Sequence, residues 1–277
     1  MCGRRAVLTN EVISNSEADG TLWMVGYITS FVTFPDRDIL DQRRTNAVTD
    51  ETEFDRNRTH SGNYEQAPRW FVPGYDASHA MAAVLLRDRI GERGRILVVG
   101  AGGGVELSVL ARECQGWTFT GVDPSVEMLR QAKTKVEAAG AAARVSWFQG
   151  GVENSPREPF DAATAFLCLN FIADDGRRLG TLREIHARLR PGAPFLMING
   201  CTDKNSARFE DDLRVYEAFA RRNGAPAEMV EGAVRMQRES LYSVPPEREE
   251  ALLAQAGFSD ARLFYTGLWI FGWIARA

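Results

Sequence analysis

From Arg95 onward, apolar residues come in short unbroken runs separated by amphipathic stretches, and that alternation predicts the architecture. RILVVG at 95–100, WTFTGVD at 117–123, RVSWFQ at 144–149, DAATAFLCLNF at 161–171 with its exit loop, and PFLMING at 194–200 are largely apolar and rich in β-branched or aromatic residues. Strands covered on both faces of a parallel sheet read this way. Between them, residues 104–115, SVEMLRQAKTKVEAA at 125–139 and GRRLGTLREIHARL at 176–189 read as helices, with Ser125 placed as an N-cap. Repeated strand and helix predict an α/β fold, a doubly wound Rossmann-like sheet with right-handed crossovers. SHAMAAVLLRDRI at 78–90, after Pro68 and Pro73-Gly74, predicts one more helix ahead of that core.

The last third abandons the alternation. Residues 206–240 are charged and helix-prone, PEREEALLAQAGF at 246–258 predicts a helix ended by Gly257, and ARLFYTGLWIFGWIARA at 261–277 predicts two strands around Gly267. A C-terminal antiparallel hairpin then brings the sheet to seven strands, and 206–240 forms a helical insertion. Residues 1–65 lack a sustained period beyond a β-branched and aromatic run at 22–34. They read as an N-terminal extension and cap segment ahead of a domain at 66–277.

Composition narrows the function classes. The 277 residues are 44% hydrophobic and 25% charged, with a formal net charge of −4, which suits a globular protein and argues against a broadly basic nucleic-acid surface. Cys2, Cys114, Cys168 and Cys201 are widely spaced, and no Cys or His grouping has metal-ligand spacing. No metal is therefore expected, and reduced thiols suggest a cytoplasmic protein. LWMVGYITSFVTF at 22–34 is too short to span a bilayer and follows acidic residues, so neither membrane residence nor a secretory leader is expected.

The candidate chemistry lies where the first strand meets its helix. Gly100, Gly102 and Gly104 occupy that turn, where missing side chains let a ligand approach the main chain and a helix N-terminus offers free N–H groups. The same glycines also serve tight strand-to-helix packing. The second strand ends in Asp123, nineteen positions after Gly104, where a carboxylate accepts hydrogen bonds from ribose hydroxyls. Pro124 turns the chain into the next helix and places Met128 where it covers an adenine face or packs in the core. These residues call for an adenosine-type ligand, leaving methyl transfer and nicotinamide-linked hydride transfer in competition. The spacing G-x-G-x-G, with Val105 following, and the lack of a Tyr-x-x-x-Lys pair favour methyl transfer.

On these motifs the chain resembles the class I S-adenosylmethionine-dependent methyltransferases, from about Phe54 to Ala275. Within them it is most similar to the carboxy-S-adenosylmethionine synthase group and related small methyltransferases. FDR at 54, VPGY at 72–75, VDPSVEML at 122–129, LRPGAPFL at 189–196, NGAPAEMVEGAVRMQRES, LLAQAGF and LFYTGLWIFGWIA carry that likeness. The resemblance implies S-adenosylmethionine as cofactor, with Gly100, Ala101, Gly102 and Gly104 along its methionine part and Asp123 on its ribose. Pro124, Met128, Glu153 and Leu167 complete the implied cofactor contacts. Two positions depart from the family: Val98 and Gly151 stand where acidic residues are usual. Glu153 is the candidate replacement for the second.

Methyl transfer from a sulfonium has a good leaving group, so positioning and exclusion of water supply much of the catalysis. Where the acceptor is a hydroxyl, Tyr75 and His79 are the candidate catalytic residues. His60 and His186 read as solvated. Tyr75, Asn170 and Arg235 are the candidate substrate contacts; Arg235 matches the arginine that holds the extra carboxylate in carboxy-S-adenosylmethionine synthases, although Ala225 replaces the tyrosine expected after Asn-Gly. Methyl transfer to a small-molecule acceptor is the expected activity. A carboxy-S-adenosylmethionine synthase-like reaction, or a binding protein without chemistry, are the alternatives, and association as a homodimer is compatible with each.

Overall fold

A computed structural model describes residues 66–277. The extension at 1–65, with its run at 22–34 and His60, lies outside the described residues. Seven strands form one sheet in the order β3-β2-β1-β4-β5-β7-β6. They are β1 (Gly94–Val99), β2 (Trp117–Asp123), β3 (Val145–Gln149), β4 (Ala162–Phe166), β5 (Pro194–Gly200), β6 (Ser259–Gly267) and β7 (Ile270–Arg276). The first five run parallel, whereas β7 pairs antiparallel with both β5 and β6. The expected hairpin is thus present, inserted with β7 inside and β6 at the edge.

Strand alternation sorts the core into two layers. Ile96, Val98, Leu196 and Ile198 face α2 (Tyr75–Ile90) and α3 (Val105–Glu113), meeting Leu86, Leu107 and Leu110. Leu97, Val99, Phe195 and Met197 face the other way, onto α5 (Arg177–His186) and α8 (Pro246–Ala256), meeting Leu182, Ile185, Leu252 and Leu253. Both faces of the central strands are covered, which is why their sequences are nearly continuous in apolar residues. Crossover α4 (Val126–Ala138) begins at Ser125, whose hydroxyl accepts from Met128 N–H at 3.2 Å, the expected cap. Gly257, at φ 105, ends α8 in the left-handed conformation.

A third cluster forms the cap. The charged stretch 206–240 breaks at Gly224 and Pro226 into α6 (Phe209–Arg222) and α7 (Ala227–Glu239), with short α1 (Ala67–Phe71) against α6. Phe71, Tyr216, Ala220, Val230 and Ala233 fill this cluster, and Trp269 joins it to the β6–β7 turn. Tyr265 Oη donates to Pro73 O, tying the hairpin to the segment that starts α2. His186 differs from expectation: its ring packs edge-on against Phe258 at 5.0 Å, because α5 lies over the core at that point.

One buried ion pair joins α5, α8 and the strand end below the cap. Arg178 and Glu249 are both fully buried, with Nη1 to Oε1 at 2.7 Å. Arg178 also donates to Ile172 O at 3.0 Å and to Tyr242 O, while Asn199 Nδ2 donates to the same Glu249 oxygen at 3.2 Å. Removing one partner leaves an uncompensated buried charge, a loss of about 3–5 kcal/mol. Glu249→Ala is expected to lower the melting temperature by about 10 °C, whereas R178M/E249L recovers most of that loss. Calorimetric melting of the parent and the two variants checks it, and an E249A midpoint equal to the parent's refutes the role.

Candidate cofactor and acceptor site

Strand order reverses between β1 and β4, since the chain leaves β1 toward β2 on one side and reaches β4 on the other. Ligands of open α/β sheets bind in the crevice at that reversal, beyond the carboxyl ends of the strands. Two turns flank it here: 100–104 after β1 and 167–168 after β4. Cys168 donates to Val99 O at 3.3 Å, and a Cβ at Gly100 would lie 2.4 Å from Cys168 Cβ. Burial pushes the Cys168 thiol far above its usual range, with Glu106 and Asp123 adding to the effect, so it is a neutral packing group. Leu167, at φ 56, holds a left-handed conformation that costs a non-glycine residue about 1–2 kcal/mol, and its N–H bonds Ile198 O at 2.6 Å.

The three glycines of the first turn have different reasons to be glycine. Gly104 has no room for a side chain, because a Cβ there would sit 2.8 Å from the Ala132 Cα on α4. Gly100 is held against Cys168 as described. Of the three, Gly102 alone has room for a Cβ, which would meet Met128 Cε at 3.5 Å and Gly100 O at 3.6 Å, both ordinary contacts. Its N–H is pinned by Asp123 Oδ2 at 2.8 Å, while Asp123 Oδ1 accepts from Ser125 N–H at 2.9 Å. The carboxylate therefore locks the first turn to the end of β2. Ala101 N–H bonds Val122 O at 2.9 Å and completes the lock. Pro124 is exposed beside it and Met128 is buried below.

Carboxylates stand near both positions where the resemblance had led us to expect an acid. At Gly151, a Cβ would lie 2.5 Å from each Glu153 carboxylate oxygen, so that side chain folds into the space a residue at 151 would fill. At Val98, a fully buried position in register with Thr164 of β4, the nearby acid comes from the helix. Glu106, in the first turn of α3, is 6% exposed, and its Oε1 has no hydrogen-bond partner. Burial pushes its carboxyl up to about 8, with Thr164 close enough to oppose that slightly. Sequence reasoning missed Glu106. The available signal was an acidic residue on the apolar side of a helix, in VELSVL.

α2 carries Tyr75 and His79, the candidate acceptor-side residues. His79 is buried, its Nδ1 lies 2.8 Å from Tyr75 O, and its ring packs on Phe166 at 5.3 Å and on Tyr75 at 4.4 Å. A carbonyl only accepts, so Nδ1 carries the hydrogen and Nε2 keeps a lone pair. Burial also pulls the His79 pKa below 6.5, keeping the ring neutral at physiological pH. Tyr75 is buried beside it. Asn170 spends its side chain on the backbone of Gly200, donating to O at 2.6 Å and accepting from N–H at 2.9 Å, and its carbonyl accepts from Tyr242 N–H at 2.8 Å. It clamps the exits of β4 and β5 to the segment after α7. Arg235 lies half-buried on α7. Trp70, Phe71 and Trp269 belong to the core of the cap, and Tyr242 is exposed.

The sheet order, the glycine turn and the carboxylate at the end of β2 define a nucleoside-binding α/β domain of the methyltransferase type. Residues 96–192 match the family described as a methyltransferase domain. A carboxy-S-adenosyl-L-methionine synthase from Desulfotalea psychrophila is 24% identical over 200 residues, covering 70% of this chain and 80% of that protein. A ubiquinone/menaquinone biosynthesis C-methyltransferase from Geotalea daltonii is 32% identical over 114 residues, 40% of this chain and 47% of that one. Among solved structures, human N-acetylserotonin methyltransferase in complex with S-adenosylmethionine superimposes with a TM-score of 0.52 at 19% identity, over 76% of this chain and 53% of its own. This chain thus spans about half of that structure, and the likeness is one of fold. The chain carries a class I S-adenosylmethionine-dependent methyltransferase domain and is related to the carboxy-S-adenosylmethionine synthase group. S-Adenosylmethionine is the cofactor of that class. The adenosyl end fits the residues present: Gly102 is half-buried with room beside its main chain, Asp123 sets a carboxylate at the end of β2, and Glu153 sets one in the turn after β3.

No helix among the described residues is long and apolar enough to cross a membrane. No group of His, Cys, Asp and Glu among them is arranged to hold a metal ion.

The different roles of the glycines separate in variants. Gly104→Ala is expected to cost more than 2 kcal/mol through overpacking against Ala132. Gly102→Ala costs about 1 kcal/mol for its positive φ and weakens S-adenosylhomocysteine binding more than tenfold. Denaturant unfolding and calorimetric titration measure the two losses; equal stability losses contradict the assignment.

Proposed function

We propose that this chain transfers a methyl group from S-adenosylmethionine to a small-molecule acceptor. The observation that carries the reading is the Gly102–Asp123 lock at the crevice, which sets a half-buried glycine turn beside a carboxylate at the end of β2. When bound, the cofactor supplies an electrophilic methyl on a sulfonium that leaves as a neutral thioether. The chain's own work is then binding, orientation and exclusion of water. Gly100, Ala101, Gly102 and Gly104 line the methionine side, Asp123 and Glu153 take ribose and adenine-side contacts, and Pro124, Met128 and Leu167 bound the pocket.

His79 is placed to take a proton from an acceptor hydroxyl at Nε2, with Nδ1–H anchored on Tyr75 O so that the ring holds its tautomer. Tyr75 and Phe166 pack against that ring and shield it from water. Asn170 acts on the acceptor through the loops it clamps, and Arg235 reaches an acceptor from the cap.

A carboxy-S-adenosylmethionine synthase-like reaction is the second reading, favoured by the relatives of that name and by Arg235 on α7. Mass spectrometry of the nucleoside that copurifies with the protein separates the two. The methyl-transfer reading expects unmodified S-adenosylmethionine or S-adenosylhomocysteine, and the carboxylated form overturns it.

Cofactor binding itself is tested by melting. S-Adenosylhomocysteine at about a hundred times its dissociation constant stabilises by about 2.7 kcal/mol, an expected rise of about 5–10 °C. Asp123→Ala removes that rise. No shift in the parent protein at millimolar ligand sinks the cofactor reading.

A further inference from the structure

Glu106 is the one acidic side chain at the crevice that none of the roles above uses. It sits two residues after Gly104, in the first turn of α3, and reaches inward to the layer of Val98 and Thr164. That layer lies two residues inside Gly100 on β1 and two inside Phe166 on β4, so it is the wall directly beneath the glycine turn. The carboxyl is 6% exposed; Thr164 lies close enough to favour its charged form slightly, yet neither Glu106 Oε1 nor Thr164 Oγ1 has a well-formed hydrogen bond. Once ionised, Glu106 would push the thiol of Cys168, the residue packed on Gly100, further up. A buried carboxyl without a cation is costly, and sites keep such groups where a ligand completes them.

Among the described residues, no cation pairs with Glu106: Arg178 acts on Cys168 but is held by Glu249. Asp123 faces this layer from the end of β2, and Cys168 from the turn after β4. From α2, His79 and Tyr75 lie at this end, while Arg87 is paired with Glu113 at the far end of α3. From α4, uncharged Ala132 packs on Gly104. Among the described residues none then offers this carboxyl a counter-ion, and the methionine part of the cofactor carries an α-ammonium.

We propose that Glu106 is the carboxylate that binds the α-ammonium of the cofactor, taking from the helix the position left apolar at Val98, and that it ionises as the ligand enters. This rests on the cofactor reading given above. The carboxyl of the free protein, raised to about 8 by burial, is mostly neutral at pH 7. The ammonium favours the carboxylate, so the complex binds fewer protons than the free protein, and a proton is released to solvent on binding. Affinity therefore rises with pH between 6.5 and 7.5, by nearly tenfold over that unit. The Cys168 thiol is pushed up and the His79 pKa is pulled below 6.5, both away from this window, and E106Q keeps both groups, so the release it abolishes is that of Glu106.

Isothermal titration in buffers of different ionisation enthalpy tests this, with S-adenosylhomocysteine and with 5′-methylthioadenosine, which shares the adenosyl thioether and lacks the amino-acid part. The proposal expects release of about 0.9 proton per site at pH 7 with S-adenosylhomocysteine and none with 5′-methylthioadenosine. Glu106→Gln is expected to abolish the release and to weaken S-adenosylhomocysteine more than tenfold. Its 5′-methylthioadenosine affinity stays at the parent's value, which also shows that the variant is folded. Binding of both ligands to the parent without proton release, or the same release from E106Q, overturns the assignment and leaves the cofactor reading standing. Binding of neither ligand to the parent overturns both.

Discussion

Everything at the crevice depends on the Asp123 carboxylate accepting from two main-chain N–H groups at once, Gly102 at 2.8 Å and Ser125 at 2.9 Å. Hydrogen bonds to a charged acceptor contribute about 1.5–3 kcal/mol each. Here they fix the geometry of two adjacent turns as well. The glycine turn is thereby held open, α3 and α4 start from defined points, and Gly104 closes onto Ala132 between them. A neutral or shorter side chain at 123 would release the first turn from the second even with the sheet intact.

Around that lock, the nearby carboxylates stand on a helix and in a loop. The strand position at 98 and the loop position at 151 carry no carboxylate, yet Glu106 reaches the first layer from α3 and Glu153 folds over the second from two residues away. A side chain on a helix or in a loop fills the same volume as one on a strand end when the backbone beneath is glycine or a short apolar residue. Departures at single positions therefore give a poor guide to whether such a site keeps its charges.

Much of the sheet was legible because buried parallel strands leave unbroken apolar runs: 117–123 and 194–200 match β2 and β5 residue for residue. The Ser125 cap and the Gly257 stop were equally direct, since each follows from local backbone chemistry. Asp123 could be picked out by its spacing from the glycines. What stayed hidden depends on contacts far apart in the chain. Gly104 faces Ala132, Gly100 faces Cys168, and the Asn170 amide is consumed by Gly200. His79 is buried against Phe166 rather than exposed, and Glu106 shows its significance only once its burial is known. The split of 206–240 into two helices was marked by Gly224 and Pro226, but the cap they form required Trp269 from the hairpin.

The cap and the ion pair between Arg178 and Glu249 support one side of the crevice, and the lock holds the other, so the two rest on separate supports. The central claim is that the ligand meets the protein at the Gly102–Asp123 lock. Amide chemical-shift mapping during titration with S-adenosylhomocysteine tests it most directly. The largest changes are predicted at the N–H groups of Gly102, Ser125 and Val152, around the ends of β1, β2 and β3. Saturable binding that leaves those amides unmoved, with changes confined to the cap or the hairpin, would contradict the account.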